Sequence, residues 1–478
     1  MRRLTPIFTI FLLLQSLQLR AQPLSLEQAA HLTFQHNPTI QAAEYNTLAA
    51  RRNSQAARGL YAPKIALHGA WIHTQKDIGI DFNSLKPLFS QFDISSLLGL
   101  DWNLTIQNRS FGFLEADITV PIFTGGKIIA ANRAAQSIFK ATSAEEQAIK
   151  AEIFTTLVER YFGYTFAQQV LKVRQQVVKT ISEHLQEAEV MFDNGVITKA
   201  DVLFLRYRLA EALQQQSTAE NSLKLSQQAL QSTLSADSLG NLSTKLFYIE
   251  DIGSITKFKE SAELSNHKLE YAHQMQQAAQ QNINICRAAF MPQIAAMGGG
   301  AITHNVTNII PRWAVGIGVS FTIFDGTIRE YKYLAAKSMY SAVKQKREVA
   351  ENDIILLVES LYNTVTDAIN RIKTARTSID FTSELLHYRR QAFAEGVATS
   401  AQVSDAITAQ AVAQIELIEA VYLFDSTLAK LLEAAGLTES YFDYSNSVNR
   451  QIVDYEKYKE DNSTYHSGNY CSSDNCNK

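Results

Sequence analysis

The sequence predicts a mixed α and transmembrane-β fold, built as two copies of a helix–β-hairpin–long helix–turn–helix unit. Three observations predict it: an internal repeat, long stretches without helix breakers, and short segments of strict two-residue alternation.

The repeat is the strongest of the three, because self-similarity at a fixed offset marks a duplicated architecture. Gly195-Val196-Ile197-Thr198-Lys199-Ala200-Asp201-Val202 recurs as Gly396-Val397-Ala398-Thr399-Ser400-Ala401-Gln402-Val403, an offset of 201 residues. The same offset carries Ile122-Phe123-Thr124-Gly125 onto Ile323-Phe324-Asp325-Gly326, and Tyr161 onto Tyr362. Upstream, Ala62-Pro63-Lys64-Ile65-Ala66 resembles Met291-Pro292-Gln293-Ile294-Ala295 at an offset of 229. Copy one therefore carries about 28 extra residues between its Pro and its Ile-Phe segment, which places a long external loop at 76–111. The repeats fall at 23–238 and 258–437, joined by a linker at 239–257 and followed by a polar, flexible tail at 438–478.

Each copy opens with a helix, at roughly 25–60 and 258–289, rich in good helix formers. A hairpin follows, at about 63–123 and 292–324. Long helices are predicted at 127–194 and 328–395, each about 100 Å at the standard rise, with Gly163 a candidate interruption. Helices of that length suit a coiled or barrel arrangement rather than an ordinary globular domain. Gly195 and Gly396 reverse the chain, and return helices run at 201–235 and 402–435.

The hairpins carry the alternation. Over 313–324 the odd positions are Trp313, Val315, Ile317, Val319, Phe321 and Ile323, and the even ones Ala314, Gly316, Gly318, Ser320 and Thr322. Leu114, Ala116, Ile118, Val120 and Ile122 oppose Glu115, Asp117 and Thr119; Ile65, Leu67, Gly69 and Trp71 oppose Lys64, Ala66, His68 and Ala70. Period two with one apolar face defines a strand. A half-buried soluble sheet alternates in the same way. Aromatics near the strand ends (Trp71, Phe123, Trp313, Phe324) favour a bilayer, whose interfaces gather such rings. The apolar positions are then expected to face lipid, and Glu115, Asp117, Ser320 and Thr322 to face a lumen.

The chain starts as an export substrate. A basic Met1-Arg2-Arg3, an apolar core at 7–14 and Ala21-Gln22-Pro23 read as a signal peptide over 1–22, with no nearby Cys to make it a lipoprotein signal. Later residues contain no run of 18 or more apolar residues, which excludes a plain hydrophobic spanning helix but not strands. Twenty Gly and eight Pro in 478 residues leave most of the chain free to be regular. A net charge of −3 gives no footprint for nucleic acid. Three Cys make no disulfide scaffold; Cys471 and Cys476 could pair or stay free. The His residues show no metal-ligand spacing, and no phosphate loop or nucleophile elbow occurs, so neither an enzyme nor a cofactor is expected.

Four strands cannot close a membrane barrel, and lipid does not tolerate an open edge. The chain must pool strands with copies of itself under cyclic symmetry. At this point the sequence resembles the TolC-like outer-membrane efflux protein family. The resemblance rests on Phe34-Gln35-His36-Asn37-Pro38-Thr39, Tyr61-Ala62-Pro63-Lys64-Ile65, Pro121-Ile122-Phe123-Thr124-Gly125-Gly126-Lys127 and the two Gly-turn segments, and covers about residues 24–437. It implies a homotrimer whose strands form a 12-stranded β-barrel in the outer membrane, joined to a long periplasmic α-helical barrel. It implies a periplasmic adaptor and an inner-membrane pump or ABC transporter as partners, with efflux or type I secretion as the task. The linker and the region after residue 437 would form an equatorial belt.

The resemblance also implies a gate at the turns. Asp405 matches an acidic ring position, Gln402 leaves a second ring absent, and Asp201 matches a link-forming Asp. Its basic partner falls at Ala398, and Phe393 stands where a Tyr can occur, so the polar lock reads as depleted. A rival class stays open from the residues alone: a periplasmic or surface-attached helical scaffold or adhesin without a channel.

Overall fold

The computed structural model describes residues 23–82, 103–304 and 312–454. The predicted signal peptide, most of the predicted external loop, Cys471 and Cys476 lie outside the described residues.

In chain order the elements are α1 (Leu26–His36), α2 (Pro38–Arg58), β1 (Lys64–His73), β2 (Ile78–Asp81), β3 (Asn103–Gln107), β4 (Ser110–Phe123), α3 (Lys127–Asp193) and α4 (Lys199–Leu234). Then follow β5 (Phe247–Tyr248), α5 (Ile255–Ser265), α6 (His267–Ala288), β6 (Gln293–His304), β7 (Trp313–Ser320), α7 (Ile328–Ala394), α8 (Ser400–Ala434), α9 (Tyr441–Ser445) and β8 (Gln451–Ile452). The long helices α3 and α7 both hold 67 residues and run without interruption. Gly163 does not break α3; it packs beside the Tyr422 ring, where a Cβ would meet the hydroxyl at an ordinary 3.5 Å. The chain divides into a helical unit (residues up to Asn46, Ser143–Tyr271 and from Arg347 onward) and a strand unit (Thr47–Thr142 and Ala272–Lys346).

In the helical unit the first helix of each repeat, expected as one piece, is two. Pro38 forces the break in copy one: it holds Asn37 extended (φ −69°, ψ 120°), and the Asn37 carboxamide accepts from Thr39 N at 2.9 Å to restart the helix. Copy two breaks at Asn266 with no proline, its side chain accepting from Lys268 N and Leu269 N. Each Asn also donates back to the end of its repeat's return helix, Asn37 to Thr233 O at 3.3 Å and Asn266 to Ala434 O at 2.8 Å. The tyrosines at the 201-residue offset play matching parts too. Tyr161 donates to Leu24 O at 2.7 Å, and Tyr362 to Gly253 O at 3.0 Å, so each long helix ties down the segment that enters its repeat.

An aromatic cluster lies within the largely aliphatic core of this unit. Phe162, Phe247, Phe424 and Tyr441 are fully buried with edge-on ring contacts near 6 Å. Within it Asp425 is wholly buried, accepting from Phe247 N at 3.1 Å and Tyr441 Oη at 3.4 Å; burial pushes its carboxyl well above the usual carboxylate range. The expectation of a flexible tail from 438 needs correction. Residues 438–454 fold back: α9 buries Tyr441, and β8 pairs antiparallel with the linker strand β5. Polar composition misled here, because a two-residue strand has no readable periodicity. Helix α8 is long and apolar enough to cross a bilayer by composition, but Val403, Leu417, Val421, Phe424 and Leu428 are buried core residues.

In the strand unit β1, β4, β6 and β7 form one antiparallel sheet in that order, while β2 and β3 pair separately within the stretch predicted as an external loop. Strand β7 ends at Ser320, four residues before the predicted end. Its partner β6 begins at Gln293, opposite Ser320, and Pro292 before it has no N–H to extend the ladder. Thr322 thus falls outside the sheet, where its carbonyl accepts from Arg329 Nη1 at 2.7 Å.

Candidate functional site

Two places concentrate the residues singled out from sequence: the four-stranded sheet and the paired turns.

The sheet's register joins the four alternating segments into two faces. Ala66 lies opposite Asp117, Asp117 opposite Gly299, and Gly299 opposite Ala314; Lys64, His68, Glu115, Thr119, Gly316, Gly318 and Ser320 follow on the same side. Glu115, Asp117 and Ser320 therefore share one polar face, and His68 Nε2 sits 2.9 Å from Asp117 Oδ1 across the β1–β4 pair. The opposite face holds Ile65, Leu67 and Trp71, then Leu114, Ala116, Ile118 and Val120, then Ile294 and Ala296, then Trp313, Val315, Ile317 and Val319. It is apolar and uncovered: Trp71, Trp313, Val315 and Ile317 are each 70% exposed or more. Glycines at 298, 299, 300, 316 and 318 line the β6–β7 pair, and a Cβ at Gly318 would fall 2.5 Å from Met297 Cε. Trp71 and Trp313 lie toward the hairpin ends of their strands, Phe123 at the helical end of β4, and Phe324 beyond the end of β7 on the same side.

The turns are built alike in both repeats. Gly195 (φ +77°) and Gly396 (φ +78°) end the long helices in the left-handed conformation that glycine adopts without steric cost. Gly195 N donates to Phe192 O, and Val196 N to Met191 O; Gly396 N to Phe393 O, and Val397 N to Ala392 O. The return helices then start on capping boxes. Thr198 Oγ1 accepts from Asp201 N at 3.3 Å while Asp201 Oδ2 accepts from Thr198 N at 3.1 Å, and Thr399 with Gln402 repeats the arrangement. Asp201 and Gln402 thus serve as helix-start residues within their own turn.

Asp405 is engaged as well. Arg208 Nη2 on α4 donates to Asp405 Oδ1 on α8 at 2.6 Å, and Arg208 Nη1 to Glu211 at 3.1 Å, with the guanidinium 5.3 Å from the Phe204 ring centre. Reading the motifs alone missed this link, because Arg208 lies outside both of them. Phe393 is buried and meets the His184 ring edge-on at 4.6 Å. Among the described residues, His184 Nε2 and the hydroxyls of Ser400 and Ser404 are buried near these turns without hydrogen-bond partners. Burial pushes the His184 imidazole below its ordinary value, against the opposing pull of Glu187 and the Ser400 backbone.

The turn chemistry, the doubled element order and the two-faced sheet coincide with a known family. The profile described as outer membrane efflux protein matches residues 29–236 and 259–437. The chain belongs to that family. No curated protein sequence matches it. Among solved structures it is similar to the outer-membrane protein VceC of Vibrio cholerae (16% identity, TM-score 0.73, 86% of this chain and 96% of that one). It is similar too to the Campylobacter jejuni CmeC outer-membrane channel (14%, 0.71, 90% and 90%) and a Pseudomonas aeruginosa membrane protein (15%, 0.73, 86% and 90%). At such identities the likeness establishes the fold. Family membership establishes an outer-membrane efflux protein. Among the described residues no group of three His, Cys, Asp or Glu is placed to hold a metal.

Proposed function

We propose that three copies of this chain form the outer-membrane channel of a tripartite efflux or type I secretion assembly. Each copy contributes β1, β4, β6 and β7 to a 12-stranded barrel and its helices to a periplasmic α-barrel. The uncovered apolar face of the sheet carries the reading. Such a face on a lone chain needs lipid, and the outer edges of β1 and β7 need partner strands, which copies of the same sheet supply. The polar face with Glu115, Asp117 and Ser320 then lines the lumen, with Thr322 just past the strand end. The turns at Gly195 and Gly396, with Asp201, Phe393 and Asp405 nearby, form the periplasmic gate. Conduction is passive, and energy comes from an inner-membrane pump or ABC transporter reached through a periplasmic adaptor. Alkaline washing of membranes followed by crosslinking in detergent tests the proposal. A membrane-retained trimer is expected. Release by alkali, as for an attached scaffold, or a stable monomer would overturn it.

A further inference from the structure

The helical end of the sheet has a charge unlike the rest of the chain. In the antiparallel order β1-β4-β6-β7, the starts of β1 and β6 and the ends of β4 and β7 lie at one edge. The ends of α2 and α6 and the starts of α3 and α7 are therefore gathered there. Residues 48–64, 124–137, 278–292 and 321–338, which flank that edge, hold ten Lys and Arg against two acids, in a chain whose net charge is −3. One acid, Asp325, is taken by Arg329 at 3.0 Å. Nine of the ten cations, all but Arg329, are exposed and make no ion pair among the described residues, Arg51, Arg58, Lys127, Arg133, Arg287 and Lys332 among them.

Beside this charge the apolar surface continues. Phe123, Ile323 and Phe324 are exposed at the same edge. A cluster of unpaired cations directly next to rings and an apolar strand face matches one kind of partner: a molecule with an anionic head and an apolar tail. Basic residues next to a membrane segment attract anionic headgroups at about fivefold in affinity per charge, within a Debye length. We propose that the helical edge of the sheet binds anionic phospholipid headgroups, the tails lying along the exposed apolar face. This rests on the reading of the sheet as membrane-inserted. It adds a lipid preference that insertion alone does not require. It also sets the depth of the sheet, since the cations stay level with the headgroups.

The test uses the full protein and vesicles of phosphatidylcholine with or without phosphatidylglycerol. Flotation with phosphatidylcholine vesicles reports insertion alone; failure there would sink the membrane reading, not merely the lipid preference. Lipid retained after detergent exchange is then quantified by mass spectrometry. Phosphatidylglycerol should be enriched over phosphatidylcholine, and the enrichment should fall as salt rises. Combined substitution of Arg51→Gln, Arg58→Gln, Arg133→Gln and Lys332→Gln should abolish it while flotation persists. Should that variant fail to fold, the wild-type salt titration decides alone. Equal retention of the two lipids, an enrichment indifferent to salt, or one removed by inorganic phosphate at the concentration of the lipid would overturn the proposal, the last by showing a plain anion patch.

Discussion

Arg208 joins the return helices of the two repeats, its guanidinium 2.6 Å from the carboxylate of Asp405. The pair has no counterpart under the 201-residue repeat: Arg208 maps onto Ala409 and Asp405 onto Phe204. It is a cross-link that belongs to the fold's asymmetry, and it holds α4 to α8 just beyond the turns. Asp405 is two-thirds exposed, so its charge is only partly offset by the arginine.

Opposite shifts in ion selectivity follow if Asp405 faces the channel axis. Asp405→Asn removes three negative charges from a trimer and should lower cation preference, while Arg208→Gln frees those charges and should raise it. Reversal potentials in planar bilayers measure both. An equal rise in conductance in the two variants, with selectivity unchanged, would instead make the pair a mechanical latch outside the pore. Asp201→Asn should change conductance little, because its carboxylate is engaged in the capping box of its own helix, where an Asn side-chain oxygen can still accept from Thr198 N.

His184 gives the turn region a dependence on pH. Its folded pKa lies below the ordinary value, so the unfolded or opened state takes up a proton first as pH falls. Its contribution is intact above the ordinary histidine range near 6.5 and is lost as pH drops through the lowered value. The imidazole is packed against Phe393 of α7, with Glu187 on its own helix, Arg390 on α7 and Ser400 at the start of α8 as neighbours. Hydrogen exchange over residues 180–200 and 390–404 should speed up on going from neutral to mildly acidic pH. His184→Gln should flatten that response. Acceleration of the same size in the variant would place the sensor elsewhere.

Much of this architecture is legible in the sequence. Period two assigns the residues of β1, β4 and β7 to faces, and the register joins those faces through the middle of the sheet, from Ala66 and Asp117 across to Ala314, with bulges in the β4–β6 pair beside Leu114 and Pro121. Gly195 and Gly396 were readable because only a positive φ ends two long helices in that way. Other features were not legible, for reasons that can be named. The break at Asn266 has no proline to announce it, and only its 229-residue offset from Asn37 links the two. The end of β7 is set by Pro292, which precedes the first residue of its partner strand β6. Asp201 matches a link-forming position by resemblance, yet the Thr three residues before it already marks it as the capping-box partner of its own helix start. Arg208 and Asp405 are 197 positions apart, and nothing local pairs them.

The second strand exit stores strain that the first avoids. Gly125 and Gly126 carry positive φ in copy one; in copy two Gly326 does so at +71°, but the next residue is Thr327 at +67°. A β-branched residue there crowds its own carbonyl, at a cost of about 1–3 kcal/mol. Thr327→Gly should relieve it, less about 0.5–1 kcal/mol for the added freedom of the unfolded chain. A rise in thermal midpoint in detergent is expected. A fall would mean that the threonine hydroxyl, which donates to Gly326 O at 2.6 Å, offsets the backbone strain.

The last prediction concerns the two faces of β7. Val319 and Ser320 are adjacent, and the register puts Val319 with Ile294 on the apolar side and Ser320 with Gln293 on the polar side. Arginine at a lipid-facing site costs roughly 2–4 kcal/mol at mid-bilayer and less near an interface, where a long side chain can reach the headgroups. Position 319 is one residue from the strand end, so its penalty should fall in the lower part of that range, still enough to depress assembly. Arginine at 320 would meet water in the lumen and pay little. Trimer yield in outer-membrane extracts should therefore rank wild type and Ser320→Arg above Val319→Arg. Ile317→Arg, two residues deeper on the same face, should be worse than Val319→Arg, since the cost grows toward the membrane centre. A ranking in which Ser320→Arg is the most damaging would exchange the lipid and lumen faces. Equal yields for all three would remove the sheet from the membrane altogether.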